Sequence, residues 1–298
     1  VTTSLDDELR IVCWNLETNG LPKKGGADRR PVALTVLAGL RPHIVLRQEL
    51  TGAHENGART LYEEASHLGL VPFMTPPTSD WPHPAGVLFD PGVFETVAYY
   101  EHAGTVWPLM CNPVLRLRGT DRPIPVSVAS VHFSTADPLR RAGEARRLIV
   151  LAEQQAALFG GDFNSYPCRD PFPLPEWDTI ADAGHRERRS SIDHDGRRVA
   201  DTGPDDLLTR QGLFTELGQY AAVELDQPRA LTPTASLWRA DQGAPQRIDR
   251  MYATSNVAAA LTRLDVIDTD EVRAASDHAL LLATFSLTGL RKALTLAV

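Results

Sequence analysis

Five consecutive residues, Gly160-Gly161-Asp162-Phe163-Asn164, set a carboxylate and a carboxamide two positions apart, directly after the apolar run Ala156-Ala157-Leu158-Phe159. At a strand end the backbone is still held by the sheet, so residues i and i+2 share a face and both side chains can point into one cleft. The carboxylate can bind a hard cation or orient a water, and the amide nitrogen can donate to an oxygen on which charge develops. Phosphate chemistry needs that combination. Gly, Asp and Asn are also ordinary turn residues, so the same five residues read equally as a plain turn.

Five further sites place a polar group at the end of an apolar run. Trp14-Asn15-Leu16-Glu17 follows Arg10-Ile11-Val12-Cys13, Gln48-Glu49 follows Ile44-Val45-Leu46, and His132 follows the run from Val126 to Val131. Asp249 lies in Arg247-Ile248-Asp249-Arg250-Met251-Tyr252, and Ser276-Asp277-His278 precedes Ala279-Leu280-Leu281-Leu282. If these ends cluster, Glu17, Glu49, Asp162, Asp249 and Asp277 repel one another unless a divalent cation or a histidinium compensates. Oxygen-rich ligation without thiolates favours Mg2+ or Mn2+ over zinc. Attack on a phosphoester needs a positioned water, charge neutralisation on the non-bridging oxygens and help for the departing oxygen, which metal, His, Asn and Asp supply together. A pairing of Asp249 with His278 would favour the imidazolium and fix its ring.

Each residue also has a bland reading. Glu49 can be a solvated strand-end acid, Asn15 a polar core group and His132 a satisfied buried histidine. Ser276 reads as a turn former or hydrogen-bonder, since no Gly-x-Ser-x-Gly elbow surrounds it. Trp81 and Trp238 are expected in core or rim packing ahead of the lining of a cleft.

Short strand patterns carry these residues. Strands are expected at 9–14, 43–46, 71–74, 85–89, 94–100, 113–117, 124–131, 247–253, 263–267 and 279–287. Helices are expected after Asp28, which can cap apolar residues at Val32, Leu34, Val36, Leu37 and Leu40, and at 55–68, 138–157 and 205–212. From Ser165 to about Pro204 periodicity fades among five prolines and a charged run from His185 to Arg198, which reads as a long surface excursion. Strands interspersed with helices fit an α/β or α+β layered domain, and the 298 residues are read as one domain.

Composition narrows the class. A hydrophobic fraction of 43% and a charged fraction of 23% are ordinary for a globular protein, and no apolar run is long enough to span a bilayer. The first ten residues carry Asp6, Asp7 and Glu8 where a secretory signal would want basic and then apolar residues. Three widely spaced cysteines, Cys13, Cys111 and Cys168, do not suggest a disulfide framework. A cytoplasmic protein or a processed mature form is expected, with no obligate protein partner evident. The net charge of −8 argues against broad adhesion to nucleic acid while leaving room for a local basic groove.

Taken in order, Trp-Asn-x-Glu, Gln-Glu, a strand-end His, Gly-Asp-Phe-Asn, Ile-Asp-Arg and a late Ser-Asp-His resemble the endonuclease/exonuclease/phosphatase superfamily, which includes pancreatic deoxyribonuclease and exonuclease III. The resemblance runs from about residue 10 to residue 286. It implies a deoxyribonuclease I-like four-layer sandwich, two packed mixed β-sheets flanked by helices, with the site at strand ends. It implies Glu49 as the principal metal ligand, Asp277 as a metal-side acid, and Glu17, at a position some members fill with aspartate, as an outer contact to the metal. Asn15 would orient Asp162, Asp162 would align or activate the attacking water, and Asn164 would contact the scissile phosphate. His278 matches the essential histidine and Asp249 its acidic partner. His132 stands where members stabilise the pentavalent phosphate or protonate the leaving group. His43 departs from the aspartate of many members and is expected to matter to a turn.

The reaction expected is hydrolysis of a phosphoester with Mg2+ or Mn2+. A nuclease or phosphodiesterase comes first, with Arg186, Arg188 and Arg189 of the excursion contacting a phosphate backbone of nucleic acid. A phosphomonoesterase acting on a nucleotide, sugar or lipid-headgroup phosphate is the alternative, and a non-catalytic binding module the third.

Overall fold

Runs of alternating apolar residues become strands, and the turn residues between them decide where the strands stop. The computed structural model of the chain describes residues 7–23, 26–78, 81–100, 102, 110–169, 175–237 and 240–295. The strands are β1 (Glu8–Asn15), β2 (Ile44–Gln48), β3 (Val71–Met74), β4 (Gly86–Phe89), β5 (Phe94–Tyr100), β6 (Met110–Leu117), β7 (Val126–His132), β8 (Ala157–Asp162), β9 (Ser190–Ile192), β10 (Arg198–Ala200), β11 (Thr215–Glu216), β12 (Asp249–Ala253), β13 (Leu261–Ile267) and β14 (Leu280–Ser286). The helices are α1 (Arg30–Leu40), α2 (Glu55–Leu68), α3 (Pro138–Ala152), α4 (Ala183–Arg189), α5 (Gly203–Thr209), α6 (Leu217–Glu224), α7 (Ser255–Ala258), α8 (Asp270–Ala275) and α9 (Leu287–Ala293).

Two six-stranded sheets result, ordered β13-β14-β1-β2-β4-β3 and β11-β12-β8-β7-β6-β5. Each sheet holds one parallel pair, β1 with β2 and β7 with β8, joined by a helical crossover through α1 or α3. The remaining pairs in both sheets are antiparallel. Strand alternation sorts the side chains into layers. Ile11, Leu46, Val87, Leu281 and Phe285 from one sheet pack against Leu115, Val128, Leu158 and Met251 from the other. On the outer face of the first sheet, Val12, Trp14, Val45 and Leu280 meet Leu37 of α1, Leu61 of α2 and Val272 of α8. On the outer face of the second, Val131, Phe159 and Tyr252 meet Leu148 and Leu151 of α3 and Leu208 of α5. The architecture is the expected four-layer sandwich of two mixed sheets flanked by helices.

The two glycines before Asp162 are required by close approach. A Cβ on Gly161 would lie 1.8 Å from the Val131 carbonyl oxygen, and one on Gly160 would lie 2.9 Å from Met251 Cγ. β8 therefore runs between β7 and β12 without side chains at the two positions before the acid.

Several expectations need correction. The helix expected at 138–157 is α3, ending at Ala152, because Glu153, Gln154 and Gln155 break the apolar stripe before β8 begins. Asp28 lies one residue before the N-cap Arg29 and accepts from Arg30 N at 3.0 Å. The stretch expected as a surface excursion folds onto the second sheet: it contains α4 and the β9–β10 hairpin, and Ser165, Tyr166, His185, Ser190 and Asp201 are buried. The sequence reading also missed β11, α6, α7, α8 and α9. Trp238 lies outside the described residues. Among the described residues no helix is long and apolar enough to cross a membrane.

Candidate active site

Strand direction brings the polar ends to one edge. The parallel pairs put the C-terminal ends of β1 and β2, and of β7 and β8, on the same side, and the antiparallel neighbours β14 and β12 begin there. Register completes the placement: His132 pairs with Asp162, and Asp162 pairs with Asp249, so the three stand in line across adjacent strands. In the other sheet Asn15 pairs with Gln48, immediately before Glu49.

Side chains join the two sheets at this edge. Asn15 Nδ2 is 3.2 Å from both Glu49 Oε1 and Asp162 Oδ2, so a single carboxamide bridges two acids. Thr18 N donates to the other Glu49 oxygen at 2.6 Å, and Glu49 itself has a left-handed backbone, φ 56°. Asp162 Oδ1 accepts from Asn164 N at 2.8 Å, with Asn164 also left-handed at φ 49° and its carboxamide donating to Phe133 O at 2.9 Å. Glu49 and Asn164 are two of eleven described non-glycine residues with positive φ, and at the cleft that sparsely populated conformation is held by the bonds just given. His278 Nδ1 lies 2.8 Å from Asp249 Oδ2, while its Nε2 is 3.9 Å from Asp162 Oδ2 and 4.0 Å from Asp277 Oδ1. His132 Nε2 is 3.7 Å from Asp162 Oδ2.

These contacts set the charges. Burial disfavours the ionised Asp162, but the charges of His278 and Arg189 and the Asn164 N–H outweigh it and hold the carboxyl below its ordinary value. Burial likewise opposes the His278 imidazolium, yet Asp249, Asp277 and Asp162 together raise it well above the usual histidine range. Burial lifts the Asp249 carboxyl, and the Asp162 charge adds to the lift, so the Asp249–His278 pair keeps its proton at neutral pH. His132 goes the other way, because burial pulls it down and leaves a neutral ring.

The predicted residues divide into those the structure gathers and those it does not. Asn15, Glu49, Asp162, Asn164, Asp249, Asp277 and His278 lie together, with His132 beside Asp162. Glu17 is ion-paired, its carboxylate meeting Arg29 at 2.9 Å and also Lys23. Of the arginines, Arg188 is exposed with Asp182 at 4.0 Å, and Arg186 is partly exposed. Arg189 turns inward, its Nη1 donating to Asn164 O at 2.8 Å. The basic run therefore does not present three free guanidinium groups.

Some contributors went unread in the sequence. Trp14 Nε1 donates to His278 O at 3.2 Å, so the residue before Asn15 holds the histidine loop. Ser276 Oγ donates to Asn15 O at 2.7 Å and accepts from His278 N at 3.2 Å, the hydrogen-bonding role expected of it. Gln48 Nε2 donates to Ser130 Oγ at 2.9 Å, tying the sheets together. Trp81 packs edge-on against His132, ring centroids 4.9 Å apart. His43 Nδ1 accepts from Arg10 N at 3.0 Å, away from the cluster. The adjacency of Trp14 to Asn15 was a usable signal; nothing in the sequence pointed to Arg29.

Unpaired buried atoms test whether a hard cation fits. Among the described residues, Asn15 Oδ1, Asp249 Oδ1, Asp277 Oδ1 and both ring nitrogens of His132 are buried without a hydrogen-bond partner. Three of these are oxygen acceptors: Asn15 is bonded to Glu49 and Asp162, Asp249 pairs with Asp162 across the strands, Asp277 Oδ1 lies 4.0 Å from His278 Nε2, and the cluster offers no thiolate. That donor set suits Mg2+ or Mn2+. A separate cavity of about 450 Å³ between α1 and α2, lined in part by Leu16, Asn19, Arg30, Leu34, Glu64 and His67, contains none of these donors.

No protein-family profile matches the sequence, and no curated protein matches it. Solved structures do. An AP endonuclease from Archaeoglobus fulgidus superposes with a TM-score of 0.62 at 14% identity, covering 93% of this chain and 99% of that one. TDP2 from D. rerio, complexed with a single-strand DNA product, gives 0.61 at 16% identity, covering 94% and 99%. An endonuclease/exonuclease/phosphatase family protein from Bacteroides thetaiotaomicron gives 0.60 at 14% identity, covering 93% and 97%. The chain thus shares the fold of these structures, an endonuclease/exonuclease/phosphatase family protein among them.

Proposed function

We propose that this chain is a divalent-metal-dependent phosphoester hydrolase that uses a water held at Asp162. The observation that carries the reading is the proton-holding Asp249–His278 pair facing an ionised Asp162, which Asn15 ties to Glu49. Bound Mg2+ or Mn2+, held by Glu49 with Asp277, would neutralise phosphoryl charge and acidify water. Asp162 accepts the proton of the attacking water, or aligns it, with both carboxylate oxygens fixed by Asn15 and Asn164. The His278 imidazolium offers its Nε2 proton to a non-bridging oxygen, and the second amide hydrogen of Asn164 offers another donor. Neutral His132 supplies a ring N–H toward the departing oxygen.

Diester cleavage is the first reading of the substrate. Its support is the fold shared with an AP endonuclease and with TDP2, the latter solved with a single-strand DNA product. A second reading, a small phosphate ester, gains from one observation: two arginines of the run expected to track a phosphate backbone are engaged, Arg189 with Asn164 and Arg198 with Glu187. Purified protein with Mg2+ or Mn2+ should hydrolyse at least one substrate in a set spanning single-stranded and duplex DNA, small diesters and monoesters, and EDTA should stop it. Steep loss of rate with added salt would identify a nucleic-acid backbone, and a flat response a small ester. Absence of hydrolysis across the whole set would contradict the proposal.

A further inference from the structure

Three arginines surround the 162–166 turn, and they are satisfied to different degrees. Arg250 donates to Ser165 O at 2.6 Å, to Ser165 Oγ at 3.0 Å and to Tyr252 Oη at 2.8 Å. Arg141, fully buried, donates to Asp201 at 2.6 Å, to Ser134 O at 2.8 Å and to Arg188 O at 2.5 Å. Arg189 makes one bond, to Asn164 O, and its Nε is buried with no partner among the described residues. Drawing a guanidinium inward for one hydrogen bond is a poor way to stabilise a fold, because desolvation of the unpaired donors opposes it.

The chain nevertheless fastens Arg189 in place. Its own carbonyl accepts from Asp201 N at 3.0 Å, and the Asp201 carbonyl accepts from Tyr166 N at 2.8 Å. The Asp201 carboxylate is in turn held by Arg141. The residues that flank Arg189 are thereby tied to the end of the β9–β10 hairpin and to the chain just past the turn. The group its side chain reaches is the carbonyl of Asn164, a left-handed residue whose N–H holds Asp162 and whose carboxamide is aimed by Phe133 O.

We infer that Arg189 is a positioning residue: by clamping the Asn164 carbonyl it fixes the left-handed turn that aims Asp162 and Asn164 into the cleft. The inference rests on the hydrolase reading for its effect on turnover, and on geometry alone for the clamp. It replaces the expectation that this arginine touches the substrate. A planar guanidinium anchored on a backbone carbonyl removes a degree of freedom that would otherwise cost rate at the moment of attack.

Two measurements test it. Hydrogen exchange over residues 162–166 reads the clamp without reference to turnover: Arg189→Ala should speed exchange there while the sheets keep their protection, and unchanged exchange overturns the inference. In steady-state assays, Arg189→Ala should lower kcat by about tenfold to a hundredfold with KM held. Arg189→Lys should recover part of that loss, since it restores charge without the planar fork. Combined with Asn164→Ala, the losses should be less than additive. A raised KM with kcat preserved would overturn the inference in favour of substrate contact, and full additivity would overturn it as well. If Arg189→Ala does not fold, Arg189→Lys carries both measurements, with wild-type exchange and kcat the overturning result. An inactive wild-type chain would sink the hydrolase reading while leaving the exchange result to decide the clamp.

Discussion

The Arg250 network and the Asp162 cluster share one turn of chain and treat polar groups in opposite ways. Around Arg250, Tyr252 Oη donates to Asp205 at 2.5 Å, Asp205 accepts from Cys168 N at 2.7 Å, and the guanidinium holds Ser165 by its carbonyl and its hydroxyl. Burial is offset there by pairing. Around Asp162, acceptors on Asn15, Asp249 and Asp277 and both nitrogens of His132 stay buried without a hydrogen bond among the described residues. A fold that can saturate one network and leaves its neighbour open has placed unpaired groups where a ligand would satisfy them. The first network holds the turn; the second is held by it.

The contrast can be broken by mutation, beginning with the largest effect. His278→Ala should lower kcat by about 10³-fold to 10⁴-fold in the folded fraction and lower the thermal midpoint only modestly, because the buried Asp249 that loses its partner takes up a proton. Arg250→Met should do the reverse. It leaves Asp205 buried without its cation and should cost about 3–5 kcal/mol in denaturant-melt stability, with kcat of the folded fraction falling far less than in His278→Ala. Equal stability losses in the two variants would erase the distinction between the networks.

Glu144 of α3 sharpens the comparison through pH. Burial pushes its carboxyl up to about 7, against the opposing bond from Ser134 N and the nearby Arg140 and Arg141 charges. A raised carboxyl means that the folded state binds the extra proton, so this stability is fully present below the ordinary value near 4.5 and is lost as pH rises through about 7. The loss should be on the order of 3 kcal/mol, and Glu144→Gln should flatten that slope in urea melts across the range. The cleft shows the complementary behaviour. Asp162, held low, contributes above its ordinary value and loses that contribution as acid protonates it through its depressed value. His278, held high, contributes below the ordinary histidine value and loses it as pH rises through its elevated one. Turnover should therefore be level through neutrality and fall on both sides.

The smallest expected effect belongs to Glu17. Its pairs with Arg29 and Lys23 are partly exposed, the carboxylate side chain 21% accessible. Glu17→Gln should change stability by about 0–1 kcal/mol and leave Mn2+ affinity unchanged in a titration; a tenfold weaker metal would restore it to the ligand set.

Legibility in the sequence followed the range of the interactions. Strand ends were readable because an apolar run stopping at a polar residue is a local pattern, and β3, β5 and the bounds of α2 fall where the pattern put them. Asn15, Asp162, Asp249 and His278 were legible through residue type and order. The ion pairing of Glu17 was not, because it is made with Arg29, a contact twelve positions away that no motif announces. The segment from Ser165 to Pro204 lost its periodicity because short elements pinned by single side chains, such as Arg141 on Asp201, need no apolar stripe. Arg189 looked like one of a solvated run for the same reason: charge patterning counts arginines without telling which one turns inward.

The most direct test of the central claim is turnover of one phosphoester by the wild-type chain and by Asp162→Asn, each with Mg2+ and with EDTA. The account predicts hydrolysis by the wild type that EDTA abolishes, and a loss of about 10³-fold or more in the variant at unchanged fold. Hydrolysis that survives both EDTA and Asp162→Asn would contradict it.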